Sequence, residues 1–167
     1  MRNIHTPSHF SAIVCAPFGA IGIRTAMNQV QELVYLPASF QEQAAQEPFS
    51  ALVVQQIETY FINPNVHFNL PLVNIGTPFQ NRVWQAISAI PCGEVRTYGQ
   101  IAKQIQSAPR AVGQACGANW FPLIIPCHRV TASRELGGFS NHDDADGFHV
   151  GVKRWLLAHE GVAIAPN

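Results

Sequence analysis

The sequence predicts a mixed α+β fold in two parts, a small strand-and-helix domain over residues 1–74 and a mostly helical domain over residues 75–167. Three observations carry this. Short β-prone runs separated by turn residues are confined to the first forty positions. A single amphipathic stripe at helical spacing follows them. After Ile75, apolar stripes of 3.6-residue period recur, each opened by a helix-capping residue.

In chain order, residues 11–14, 20–24 and 33–36 read as strands, with Pro17 and Gly19 marking a turn between the first two. Phe49, Leu52, Val53, Ile57, Tyr60 and Phe61 share one helical face, so a helix is predicted over 49–61, ended by Asn63-Pro64-Asn65. Thr77 is suited to cap the next helix, with Pro78 at its first position and Gln80 reaching back; Phe79, Val83, Ala86, Ile87 and Ile90 form its stripe. Thr97 and Gln100 repeat the capping box before Ile101, Ala102 and Ile105. Pro109 opens a further helix to about Gly117, so two short helices joined by a tight turn suggest a helix-turn-helix. Residues 153–159 read as a final helix stopped by Gly161.

At 167 residues with 47% hydrophobic side chains, the chain can bury a core. No run approaches the roughly 18 apolar residues of a membrane helix, and no basic-then-apolar leader is visible, so a cytoplasmic protein without a membrane partner is expected. The cysteines are Cys15, Cys92, Cys116 and Cys127; they form no Cys-x-x-Cys pair and are expected as thiols. His5, His9, Cys15 and His67 follow no metal-ligand spacing, so no metal is expected. No P-loop or dinucleotide fingerprint calls for a cofactor. Net charge is zero, but its distribution is uneven. Between Ile75 and Arg134, six basic residues face the single acid Glu94, whereas residues 1–74 hold two arginines against four glutamates. A phosphate-facing surface belongs to the second part.

Pro126-Cys127-His128-Arg129-Val130 is the segment richest in chemistry. A thiolate is the strongest nucleophile among ordinary side chains, and a nearby base or positive charge lowers the free-thiol pKa of about 8.5. Adjacent residues diverge in regular strands and helices, so contact between Cys127 and His128 needs irregular backbone or a bridging water. Pro126 favours irregularity, having no N–H for a ladder. Cys92, in a Pro-Cys-Gly turn, and Cys116, in a small-residue helix, lack flanking basic pairs and are given no catalytic role.

Around this segment stand Gly76-Thr77-Pro78-Phe79-Gln80 with Val83-Trp84, Ile90-Pro91-Cys92-Gly93, Thr97-Tyr98-Gly99-Gln100-Ile101-Ala102, Pro109-Arg110-Ala111-Val112-Gly113 and Asn119. Beyond it come Leu136-Gly137-Gly138-Phe139-Ser140 and Lys153-Arg154-Trp155-Leu156-Leu157-Ala158-His159-Glu160-Gly161. In order and approximate spacing this array resembles the 6-O-alkylguanine-DNA alkyltransferases, over more than half the chain.

The resemblance implies a ribonuclease H-like first domain, a winged helix-turn-helix in the second, and a monomer acting on double-stranded DNA that contains alkylated guanine. Cys127 would accept the alkyl group, and His128, through water, would act as its base. Glu160 would orient that imidazole, and Tyr98 would help protonate the leaving guanine. Asn119 would brace the turn before the cysteine. Arg110 would fill the stack vacated by the flipped base, with small Ala111 and Gly113 allowing close approach to the groove and Arg129 placed among the DNA-binding residues. Extrusion is required because the alkylated oxygen is out of a nucleophile's reach inside the duplex. A thioether offers water no acyl carbon, so the protein would be consumed in one turnover.

Other readings use fewer of these residues. A non-catalytic alkyltransferase-like protein that binds damaged DNA shares the scaffold but normally lacks the thiol. A transcription regulator would need base-reading side chains, which the run Arg110 to Gly117 scarcely offers. The chain departs from the family pattern in residues 141–149, an insertion with three aspartates that reads either as a solvated loop or as an acidic lid, and in Phe139, where tyrosine is common.

Overall fold

The computed structural model describes residues 9–132 and 147–163. An antiparallel sheet of order β1-β2-β3 organises the first of two units, Met1–Asn74; its strands are β1 (Ala12–Ala16), β2 (Gly19–Ala26) and β3 (Gln29–Leu36). The strands run past the apolar stretches that announce them, because the hairpin between β2 and β3 turns on only two residues. Met27 and Asn28 have φ of 53° and 56°, the left-handed pair that matches strand twist in a two-residue loop. Gly19, at φ 144°, lets the chain re-enter the sheet after Pro17.

Both faces of this sheet are occupied. Ala12, Val14, Ile21, Ile23, Leu33 and Tyr35 are buried along one face, and helix α1 (Pro48–Ile62) packs on β1 and β2 through its buried Val53, Ile57 and Tyr60. On the other, Ile13, Ala20 and Leu36 gather Phe10 and Val34. Phe10 lies so close over Gly22 that a Cβ there would meet its ring, and Arg24 stacks on the same ring at 4.2 Å while bonding Glu32 at 2.6 Å.

The second unit, Ile75–Asn167, is helical. Helix α2 (Pro78–Ser88) starts at Thr77 with both capping-box bonds in place: Gln80 N–H donates to Thr77 Oγ1 at 3.0 Å, and Thr77 N–H donates to Gln80 Oε1 at 2.9 Å. Thr97 and Gln100 do the same for α3 (Tyr98–Ile105). Gln106, at φ 58°, closes α3 in the left-handed region, and only Gln106, Ser107 and Ala108 separate it from α4 (Pro109–Gly117). The two short helices therefore form a helix pair across a tight turn.

Two features escape the sequence patterns. Residues 96–97 (β4) pair in parallel with residues 130–131 (β5), a bridge too short to leave any periodicity. Helix α5 (Phe148–His159) begins five residues before the predicted start, so Phe148 and His149 are its first turn and not part of an inserted loop. Its anchor is Val150, buried with Leu157 against Val95 and Val162, a contact that continues the stripe one turn upstream. Gly161 ends this helix at φ 84°, and the Val162 N–H reaches back to Leu157. Residues 141–146 of the insertion, Phe139, the preceding glycine pair and His5 lie outside the described residues. The architecture is α+β: a small antiparallel sheet and, among the described residues, five α-helices.

Candidate active site

Cys127 sits in a single 3₁₀ turn, Cys127–Arg129. Pro126, at φ −81° and ψ 64°, centres an inverse γ-turn in which the Cys127 N–H donates to the Ile125 carbonyl at 2.8 Å. This is the irregular backbone that a proline imposes, and it aims successive side chains in different directions. Cys127 points toward α4 and Asn119, His128 toward the end of α5.

Asn119 holds the approach to this turn. Its Oδ1 accepts the Phe121 N–H at 2.8 Å, and its Nδ2 donates to the Ile125 carbonyl at 2.9 Å. The same Nδ2 donates to Cys127 Sγ at 3.2 Å. Expected only as a brace, Asn119 also touches the thiol. Trp84, buried in α2, donates its indole N–H to the Ala115 carbonyl at 2.9 Å and so ties α4 to α2.

His128 is completely buried, and its Nε2 lies 2.7 Å from Glu160 Oε2. Glu160, the C-cap of α5, also receives Arg129 through Nε at 2.8 Å and Nη2 at 3.1 Å, a bidentate pairing. Arg129 Nη1 donates to the Ile90 carbonyl at 2.7 Å. An ionised carboxylate only accepts, so Nε2 carries the proton and the Nδ1 lone pair is left for other work. Nδ1 is buried without a hydrogen-bond partner. Burial pushes the imidazole pKa down, against the pull of Glu160, so it rests neutral.

The thiol behaves oppositely to its sequence expectation. Interaction with the Cys116 thiol and burial push Cys127 well above the usual thiol range, while the Asn119 amide and the Lys153 ammonium pull it down less strongly. His128 adds no charge because it is neutral. Cys127 is therefore a protected thiol at rest and not a pre-formed thiolate.

Lys153 was given no role by the sequence. It is completely buried in α5, donates to the Val130 carbonyl at 2.7 Å, and stands 5.8 Å from the centre of the Tyr98 ring. Burial lowers its pKa to about 8. A lysine on the same stripe as Val150, Leu156 and Leu157 is the signal that could have marked it.

Tyr98 is half-buried at the first position of α3, its ring reaching the Gly113 position of α4, where an added Cβ would stand 4.0 Å from it. Ala111 and Gly113 are half-buried, and Arg110 is exposed in the first turn of α4. Arg129, expected among the DNA-binding residues, is bonded within the protein. Its donors are turned inward to Glu160 and Ile90 because the buried carboxylate and carbonyl both need partners. Among the described residues, His9, Cys15 and His67 join no cluster of three metal-ligating side chains, and no helix is long and apolar enough to cross a membrane.

Fold and site together define a cysteine-dependent protein built on a helix pair, with a buried thiol, a neutral imidazole and a carboxylate behind it. Comparison narrows the class. The family model described as the DNA-binding domain of 6-O-methylguanine DNA methyltransferase matches residues 78–162. The methylated-DNA–protein-cysteine methyltransferase of Salmonella typhimurium is 38% identical over 143 residues, 83% of this chain and 78% of that protein. The constitutive enzyme of that name from Bacillus subtilis is 41% identical over 119 residues, 70% of this chain and 68% of its own. The crystal structure of Mycobacterium tuberculosis OGT in complex with DNA superposes with a TM-score of 0.72 at 35% identity, covering 89% of this chain and 90% of the other. The chain belongs to the 6-O-methylguanine DNA methyltransferase family.

Proposed function

We infer that this protein repairs alkylated DNA by moving the alkyl group from the 6-oxygen of guanine onto the sulfur of Cys127, a single irreversible transfer in double-stranded DNA. One observation carries the assignment to this residue: a buried thiol directly held by Asn119 lies one residue from a neutral, Glu160-oriented imidazole with an unpartnered Nδ1. In this mechanism His128 Nδ1 takes the thiol proton by way of one water as the alkyl carbon is attacked in line. Glu160 keeps the imidazolium paired, and Arg129 balances the carboxylate. Tyr98 supplies a hydroxyl for the departing guanine, and Lys153 favours the developing thiolate. No step needs a cofactor.

The DNA-facing part falls to the helix pair. Small Ala111 and Gly113 let α4 approach a groove, and exposed Arg110 replaces the extruded base. In this reading residues 75–167 form a winged helix-turn-helix domain that binds DNA and accepts the alkyl group. Residues 1–74 form a ribonuclease H-like domain, and the protein works as a cytoplasmic monomer.

The test is the intact mass of the protein after incubation with a duplex bearing 6-O-methylguanine. The reading requires one added methyl, mapped to Cys127 and absent from Cys127→Ala, which should still bind the duplex. An unchanged mass with tight binding would instead favour a non-catalytic binder of alkylated DNA, a reading the presence of Cys127 disfavours.

A further inference from the structure

Trp84 is the largest side chain on the buried stripe of α2, 4% accessible, and a buried indole must find an acceptor for its N–H. It finds the Ala115 carbonyl at 2.9 Å. That carbonyl lies in the last turn of α4, where no further helical turn supplies donors. Its neighbours are served by the chain itself: the Gln114 carbonyl accepts the Ala118 N–H at 3.1 Å, and the Cys116 carbonyl accepts the Asn119 N–H at 3.2 Å. An Asn119 N–H bonded four residues back would have reached Ala115, so its turn toward Cys116 leaves the Ala115 carbonyl, on a residue 2% accessible, to the indole. The benzo edge of the ring meets Gly76, where φ is 94° and an added Cβ would stand 2.7 Å from Cζ3. The indole is thus held between the start of the second unit and the end of α4.

Helix α2 serves both members of the helix pair in this way. Arg82 Nη2 donates to the Ile105 carbonyl at the end of α3 at 2.5 Å, but that bond is exposed and water can replace it. The Trp84 bond is buried and has no such substitute. Beyond it, Asn119 stands two residues past α4 and donates to both Cys127 Sγ and the Ile125 carbonyl. Arg110 and Ala111 stand at the other end of the helix, whose nine residues at about 1.5 Å each make a strut of about 13 Å.

We propose that Trp84 is a positioning residue for the transfer: its indole N–H fixes α4 at Ala115, so that the end approaching a groove and the Asn119 amide that aims the Cys127 sulfur keep one spacing when DNA is engaged. Trp84 acts through Asn119 and is not itself a catalytic group. Loss of the bond frees the end of α4 to turn, and Asn119 then loses its aim. The inference rests on the reading of Cys127 as the acceptor and of α4 as the helix that enters the groove.

Trp84→Phe keeps an apolar ring and removes the N–H. With full-length protein and a duplex bearing 6-O-methylguanine, the maximal first-order rate of methyl transfer should fall severalfold. The duplex concentration giving half that rate should change little, since phosphate contacts dominate binding. The midpoint of Cys127 labelling by iodoacetamide against pH, localised by peptide fragmentation, should move upward because the thiolate loses the Asn119 donor. Asn119→Ala and the double variant complete a cycle: with Trp84 acting through Asn119, the double variant labels like Asn119→Ala alone. Shifts that add in full overturn the proposal, as do a Trp84→Phe rate and labelling profile equal to wild type in a protein whose thermal midpoint has fallen. The wild type supplies a measurement that needs no variant to fold: the Trp84 indole proton, followed by NMR, should exchange slowly and stay slow with undamaged duplex bound. Exchange as fast as that of an exposed indole, or loss of protection on binding, overturns the proposal too. Because iodoacetamide labelling needs no DNA, a protein that accepts no methyl group would sink the repair reading while the labelling cycle still tests Trp84.

Discussion

The side-chain amide of Asn119 donates to the sulfur of Cys127 at 3.2 Å while it also holds the Ile125 carbonyl two residues upstream. One residue thus sets both the path of the chain into the reactive turn and the proton affinity of the thiol. A donor to sulfur favours the thiolate, so Asn119 opposes the Cys116 thiol and burial, which favour the protonated form.

Asn119→Ala should therefore raise the thiol pKa further and leave the Ile125 carbonyl short of a partner. We expect a loss of about 1–3 kcal/mol in stability, the usual cost of stranding a buried polar group. Chemical denaturation would measure the stability, and the pH dependence of labelling by a small alkylating probe would measure the thiol. A profile identical to wild type would remove Asn119 from thiol control.

For the wild-type protein, that labelling profile should keep climbing above pH 8.5–9, because Cys127 titrates above the ordinary thiol range of about 8.5. Cys116→Ala removes the largest influence raising it and should shift the curve to lower pH. A plateau near neutrality in the wild type would show a thiolate already formed at rest.

The neutral state of His128 sets the acid side. Burial holds its pKa below 6.5, so methyl transfer should stay constant down to about pH 6.5 and fall only below it. Stability carries the same sign. As pH drops through 6.5 the unfolded chain takes up a proton that the folded imidazole refuses, so folding weakens in that range. His128→Gln should remove both dependences, as rates and thermal midpoints measured from pH 5 to 8 would reveal.

Glu160→Gln breaks the cluster from its centre. His128 loses an ionised partner and Arg129 is left buried against a neutral amide, so transfer should slow and stability should fall by about 3–5 kcal/mol, the range for removing one member of a buried pair. Arg129→Ala should cost stability through the lost Ile90 and Glu160 bonds while changing the salt dependence of DNA binding little. A large drop in that salt dependence would return Arg129 to the phosphate-contacting group.

Lys153→Met tests the buried ammonium. With its pKa lowered to about 8, against 10.5 for a free lysine, the folded state loses this proton before the unfolded state does. This residue alone should therefore make the protein gain stability between pH 8 and 10.5, a gain the Met variant should lack. Transfer by the variant should also be slower at neutral pH, since the ammonium favours the Cys127 thiolate. Equal rates would confine Lys153 to holding the Val130 carbonyl.

The elements and the reactive segment were legible in the sequence because their causes are local. A capping box needs only residues three apart, and both Thr77–Gln80 and Thr97–Gln100 formed where the pattern placed them. Pro126 announces irregular backbone by its own chemistry, and an inverse γ-turn stands there. The family, too, can be read from motifs in order along the chain. The state of the site could not be read that way. His128 meets Glu160 across 32 residues and Arg129 meets Ile90 across 39, so their pairings depend on where the end of α5 and the loop after α2 come to rest. Sequence adjacency suggested that a base or positive charge beside Cys127 would lower its pKa, with His128 acting through water. Tertiary packing buried the imidazole neutral and set Cys116, Asn119 and Lys153 around the sulfur. Burial and distance, which fix electrostatic shifts, belong to the folded chain and leave no mark on the order of its residues.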